Sequence, residues 1–123
     1  MAAKLQEIVV GSARPAELAA FWSAVLGWPA TESPNGFVWL SSTGAYVAPE
    51  PLLVFVPVPE AKAGKNRLHL DLCPSGCDQD EELARLLALG AARADVGQGP
   101  GAPWIVLADP EGNEFCLLGR RVD

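Results

Sequence analysis

Apolar and polar residues alternate in short runs along this chain, and the runs predict strands and two helices. Residues 4–10 read as a strand, with Ile8 and Val10 on one face and Leu5, Glu7 and Val9 on the other. Ser12 followed by Arg14-Pro15 predicts a helix start, because serine caps well and proline is tolerated in the first turn. Leu18, Phe21, Trp22, Val25 and Leu26 then recur at helical spacing, with Trp22 in the core, and Gly27 supplies the stop. Residues 29–35 read as a loop, 36–42 as a strand around Phe37, Val38, Trp39 and Leu40, Gly44 opens a short third strand, and 52–58 make a fourth. Residues 57–66 carry Pro, Gly and charge without periodicity and read as a connector.

Beyond the connector, residues 67–73 alternate cleanly, with Leu68, Leu70 and Leu72 on one face and Arg67, His69 and Asp71 on the other. Asp78 with Glu81 forms a capping-box-like helix start, Leu83, Leu86, Leu87 and Leu89 make the apolar stripe, and Gly90 ends it. Residues 91–96 predict a weak strand and 97–103 a Gly/Pro loop. Two apolar runs then flank Asp109-Pro110-Glu111-Gly112-Asn113, where Pro110 presets φ and Gly112 or Asn113 tolerates φ > 0, a strong hairpin signal. In its second run Phe115 and Leu117 share one face while Glu114, Cys116 and Leu118 share the other, which puts the Cys116 thiol on the non-core side.

Both halves therefore read strand, helix, strand, strand, strand, and both helices end in Leu-Gly. Glu7 and His69 occupy equivalent positions on the first strands, and Val56 and Cys116 on the last, although the second spacing is two residues shorter. The predicted fold class is α+β: two βαβββ modules, residues 1–60 and 67–123 joined by 61–66, in one domain spanning 1–123. Each module buries one sheet face beneath its helix, and the remaining faces curl into an open, incompletely closed barrel around a cleft on which Glu7, Val56, His69 and Cys116 converge.

The totals fit one domain. A chain of 123 residues buries roughly two-thirds of its unfolded surface and needs neither metal nor disulfide to fold. Its 12 Gly and 11 Pro favour short elements. A formal charge of −6 and a pI near 4.7, with no Lys/Arg cluster, argue against nucleic acid as partner. Three cysteines, no N-terminal apolar segment and no long apolar run predict a reduced, cytoplasmic protein with no membrane span. Cys73 and Cys77 flank Pro74-Ser75-Gly76, a poor zinc signature without a second pair.

Three separated motifs are similar to a known group: Phe21-Trp22-x-x-Val25-Leu26-Gly27-Trp28, Lys65-Asn66-Arg67-Leu68-His69-Leu70-Asp71-Leu72, and Asp109-Pro110-Glu111-Gly112-Asn113-Glu114-Phe115. In this order the chain resembles, over nearly its whole length, the glyoxalase/bleomycin-resistance/dioxygenase superfamily, also called vicinal oxygen chelate, and within it the glyoxalase-like subgroup. That fold hosts lyases, epimerases, dioxygenases and non-catalytic drug-binding proteins, so the resemblance implies a fold more than an activity. Metal-dependent members place His, Gln or Glu ligands on the first and last strand of each module. The resemblance thus implies Glu7 and His69 as catalytic residues and Glu7, His69 and Cys116 as metal ligands, with Val56 at a fourth position that cannot bind. Cys116 stands where the family's enzymes generally carry Glu. A carboxylate, an imidazole and a thiolate form a three-ligand set suited to zinc, whereas the family's oxygen-rich octahedral sites suit other metals.

Plainer roles stand beside these. Cys116 packs as a small hydrophobe, His69 serves as a hydrogen-bonded structural residue beside Arg67 and Asp71, and Glu7 acts as a rim charge or pairs with Arg67. Arg67 and Asp71 either fix the His69 tautomer or pair with each other. Trp39 and Trp104, two of four tryptophans, either line an apolar pocket with residues 97–103 as its flap or simply pack. The expected function is a glyoxalase-like protein that binds a small molecule in the inter-module cleft through Trp39, Arg67, Asp71, Trp104 and Cys116, without a complete metal site or other cofactor. The alternatives are a metal-dependent lyase or isomerase using a divalent metal, and an accessory module that forms a homodimer.

Overall fold

The computed structural model describes residues 1–94 and 101–123, which divide into two compact units, Met1–Ala61 and Lys62–Asp123. The first runs β1 (Glu7–Ser12), α1 (Pro15–Leu26), β2 (Ala30–Glu32), β3 (Val38–Leu40) and β4 (Leu52–Pro57), with sheet order β1-β4-β3-β2. The second runs β5 (Asp71–Leu72), α2 (Gln79–Leu89), β6 (Ala92–Arg93), β7 (Ile105–Ala108) and β8 (Glu114–Leu117), with order β5-β8-β7-β6. In each sheet the first strand pairs in parallel with the last and the other pairs are antiparallel. Each unit is a βαβββ module, as the repeat predicts. No helix among the described residues is long and apolar enough to cross a membrane.

In the first module β1 lies further along than the predicted 4–10. Parallel pairing extends it to Ser12 opposite Pro57, and the Val58 amide donates to the Ser12 carbonyl at 3.0 Å. Ser12 is not the helix cap as expected: Arg14 holds that position without a side-chain cap, and the buried Ser12 hydroxyl accepts from the Arg14 amide at 3.1 Å just ahead of Pro15 in the first turn. α1 buries Leu18, Ala19, Phe21, Trp22 and Val25, with Phe21 and Trp22 edge to face at 5.4 Å, and ends at Gly27 in the left-handed region. A fully buried Phe such as Phe55 contributes roughly 3–5 kcal/mol as judged by truncation to Ala.

Two expectations change here. The stretch read as a loop at 29–35 contains β2, whose three side chains are all exposed. An edge strand pairs through its backbone, so no apolar alternation marked it. Conversely, the third strand expected from Gly44 is a turn, in which the Ser41 hydroxyl donates to the Ala45 carbonyl at 2.6 Å and Gly44 takes φ 86°.

In the second module α2 starts as predicted, the Asp78 carboxylate accepting from the Glu81 amide at 2.9 Å. Its stripe is narrower than expected. Leu83 and Leu86 are buried, while Leu87 and Leu89 are 38% and 37% exposed. Buried Glu82 is held instead by a two-point contact to Arg85, with both N···O distances 2.7 Å. The strand predicted at 67–73 shrinks to Asp71–Leu72, and Leu68 is 86% exposed rather than core. The ladder partner sets this length: Cys116 and Leu118 amides donate to Leu70 and Leu72 carbonyls at 2.8 Å, but β8 begins only at Glu114. Glu114 ties the preceding segment down through its carboxylate, which accepts from Lys62 Nζ and from the Asn66 amide, each at 3.1 Å. Of the strand expected at 91–96, Ala92–Arg93 is present, and residues 95–100, with most of the expected flap, lie outside the described residues.

The predicted hairpin forms around Asp109. Its buried carboxylate accepts from the Glu111 amide (2.9 Å), the Asn113 amide (3.0 Å) and the Asn113 side-chain amide, and Gly112 takes φ 88°. Replacing Asp109 by Ala strands these donors and is expected to destabilise the protein by about 2 kcal/mol in denaturant unfolding. A change below about 0.5 kcal/mol would place the turn's stability elsewhere. Burial pushes the Glu114 carboxyl up, but the backbone hydrogen bonds at Glu114 and Asn66 and the Lys62 ammonium outweigh it and hold the group below its ordinary value. A depressed folded-state value adds stability above the unfolded one and loses it as pH falls through the folded one. The stability difference between wild type and Glu114→Gln should therefore be full at neutral pH and shrink below about pH 4.5. A difference that stays constant down to about pH 3 would remove the carboxylate's charge from the explanation.

Candidate functional site

The parallel ladder of the second module sets the site. Asp71 lies opposite Cys116 and Leu72 opposite Leu117, while β7 brings Val106 opposite Cys116. Register partners share a sheet face, so the two faces separate sharply in chemistry. One carries Leu72, Leu107, Phe115 and Leu117, and the other Asp71, Val106, Glu114 and Cys116. His69 joins the second group: its Nε2 lies 3.2 Å from Asp71 Oδ1.

His69, Asp71 and Cys116 each offer one ligand atom, and these atoms all lie within 4.8 Å of one another. The two polar side chains are about half exposed, while Cys116 is buried. Burial pushes the Cys116 thiol above its ordinary value, and the Asp71 charge and its hydrogen bond to the thiol push it further. Near neutral pH Cys116 is thus a protonated thiol donating to Asp71, which also meets the imidazole. One carboxylate thus meets a nitrogen and a sulfur, with the imidazole and the carboxylate half open to solvent and the sulfur buried. The cluster can accept and donate hydrogen bonds, move a proton at His69 Nε2, or chelate a cation.

Sequence reasoning picked out all three residues but read Asp71 only as a ligand contact or an orienting group. Its place opposite Cys116 depends on register, which alternation alone leaves free by steps of two. Cys116 also differs from the expected outward thiol, since residues on both faces of β8 are buried.

The remaining candidates are distributed differently. Glu7 is half-buried at the start of β1, opposite Leu52, on the face shared by Val9, Val54 and Trp39. Val56 lies opposite Gly11. The first-module residue level with the second residue after Glu7 is Val54, as Cys116 is level with the second residue after His69. Val54 therefore takes the place assigned to Val56, and the module-one counterpart of His69, Asp71 and Cys116 is Glu7, Val9 and Val54. Trp39 packs edge to face on Tyr46 at 5.7 Å. Arg67 is exposed, and Trp104 precedes β7 and is 39% exposed. Cys77 is engaged separately, its thiol 3.8 Å from Glu82 Oε1, and all three cysteines are free.

Solved structures that share the fold include the following three. A glyoxalase/bleomycin resistance protein/dioxygenase family enzyme from Burkholderia phytofirmans PsJN is 20% identical with TM-score 0.69, covering 94% of this chain and 97% of its own. The fosfomycin resistance protein FosX from Mesorhizobium loti is 14% identical with TM-score 0.69, covering 96% and 92%. A mutant FosX from Listeria monocytogenes, complexed with Mn(II) and 1S,2S-dihydroxypropylphosphonic acid, is 17% identical with TM-score 0.68, covering 96% and 90%. No curated protein matches the sequence. The family profile described as Glyoxalase-like domain matches residues 7–118, which span β1 through β8. The chain accordingly belongs to the glyoxalase-like domain family, and its fold is the one seen in the glyoxalase/bleomycin resistance protein/dioxygenase structures.

Proposed function

We propose that this protein binds a small organic molecule on the mixed face of its second sheet, at His69, Asp71 and Cys116, without a manganese-type centre. The observation that carries this reading is the sharing of Asp71 by an imidazole 3.2 Å away and a buried thiol, on a face half open to solvent. Polar groups converging on one side of an otherwise apolar sheet are what a binding site requires.

The Mn(II) of the Listeria FosX complex provides the comparison for a metal. Manganese and magnesium favour octahedral, oxygen-rich coordination, whereas this cluster supplies one carboxylate, one imidazole and one sulfur, with valine at the counterpart position Val54. The donor set does not fit such an ion, and no step is derived through one. The −6 charge disfavours polyanions and favours neutral or cationic ligands that donate to Asp71.

A second reading is a lyase or isomerase of the glyoxalase type, favoured by the His69–Asp71 contact. A carboxylate that orients an imidazole is the arrangement of a general base, and His69 is exposed enough to reach a substrate proton.

A thermal-shift screen of uncharged and cationic small molecules, with the anionic fosfomycin as a contrast, followed by calorimetry separates these. A true ligand is expected to bind at least tenfold more weakly, about 1.4 kcal/mol, to Asp71→Asn than to wild type. Unchanged affinity for Asp71→Asn and Cys116→Ala would move the site elsewhere. Chemical conversion of the hit, lost in His69→Ala, would replace the binding reading with the catalytic one.

A further inference from the structure

We infer that the first module carries a binding site of its own, for a fully methylated ammonium group, with Trp39 and Tyr46 as perpendicular aromatic walls and Glu7 as counter-ion. The site lies wholly within Met1–Ala61 and takes a cation that has no N–H to donate. It is therefore independent of the ligand proposed for His69, Asp71 and Cys116, which donates to Asp71.

Sheet register assembles the parts. Trp39 lies opposite Val54, Val54 lies opposite Val9, and Glu7 stands two residues before Val9, so all four side chains leave the same face of the first sheet. The loop after β3 brings Tyr46 to that face. Its ring meets Trp39 with centroids 5.7 Å apart and planes at 88°, while its backbone carbonyl accepts from the side chain of Gln6, the neighbour of Glu7, at 3.2 Å. Two planes near a right angle make a corner. Tyr46 is 56% and Val9 54% exposed, so the corner is open to solvent, and buried Val54 supplies an apolar floor. Two strand spacings and two residues of rise put the Glu7 and Trp39 Cα positions about 12 Å apart, a gap that the two side chains and one ammonium group fill.

Charge and hydration select the ligand. A cation beside tryptophan and tyrosine rings is drawn to their quadrupoles, most strongly to tryptophan. A primary ammonium leaves hydrogen bonds to water that ring walls cannot replace, whereas a methylated nitrogen has none to lose. Among the described residues the Glu7 carboxylate has no hydrogen-bond or ion-pair partner, and neither does the Tyr46 hydroxyl or the Trp39 indole N–H. The Glu7 charge is thus left for a ligand. Residues 1–61 hold five Glu against two cationic side chains, Lys4 and Arg14, and Arg14 is already 3.5 Å from Glu17. The module's own field therefore favours a cation at this face.

The test titrates the full chain by calorimetry with choline and, separately, with the neutral isostere in which carbon replaces the choline nitrogen. Saturable choline binding with a Kd below about 10 mM is expected, at least about fivefold tighter than that of the isostere. Tyr46→Leu, which keeps an apolar side chain but no ring, and Glu7→Gln should each weaken choline binding at least about threefold, and Asp71→Asn and His69→Ala should leave it unchanged. No saturation by about 10 mM, equal binding of the isostere, or undiminished binding in Tyr46→Leu would each overturn the site. Should Trp39→Leu, offered as a further check on the ring, fail to fold by circular dichroism, exposed Tyr46→Leu decides alone. Loss of choline binding in Asp71→Asn would also overturn the site while supporting the second sheet as the place of binding, and a failed search for a second-sheet ligand leaves the choline result untouched.

Discussion

Everything at the candidate site depends on one pairing, the parallel ladder between the first and last strands of the second module. That ladder is short, two register pairs, yet it decides which side chains are neighbours. A slip of one residue would send Asp71 and Cys116 to opposite faces, and a slip of two would level Cys116 with a different residue. Register is held from three sides. β7 pairs antiparallel along the whole of β8, the Asp109 turn fixes where that hairpin reverses, and Glu114 anchors the incoming segment at Asn66. The apolar face, with Phe115, Leu107 and Leu117 almost fully buried, makes any one-residue slip costly.

The same three constraints account for the contrast within the site. Cys116 belongs to a central strand and is buried with its neighbours, whereas His69 lies in a segment attached to the sheet by few hydrogen bonds. A rigid donor beside adjustable ones is a common arrangement where a ligand has to be admitted and then gripped. Lys62 and Glu114 bound that adjustable stretch, so its freedom is local.

Much of this was legible in the sequence. Helical spacing gave α1 and the capping signal gave the start of α2, because both depend on local residue chemistry. The Asp109 hairpin was equally plain, since proline, glycine and an Asx side chain act within five residues. What escaped were features decided by distant partners. β2 carries Ala30, Thr31 and Glu32, none of them apolar markers of a strand, and exists through backbone pairing with β3. Leu68 alternates in phase with Leu70 and Leu72 yet has no opposite strand to bury it. Val56 reads as the counterpart of Cys116 along the repeat, with a spacing two residues short, and the parallel register gives that place to Val54. The family was readable from three motifs. The chemistry was not, because the cluster depends on Asp71 and Cys116 sharing a register position, which the pattern around them leaves free.

The counterpart positions in the two modules carry a wider consequence. Glu7, Val9 and Val54 sit where His69, Asp71 and Cys116 sit in the other half, held by ladders of the same kind. The architecture is thus written twice, while the cluster of three ligand-bearing side chains is written once among the described residues, with Glu7 alone answering it in the first module. In such an asymmetric duplicate, one half is free to drift toward greasy side chains at those positions, and new reactivity arises by altering two or three letters in the other, with no new backbone to invent.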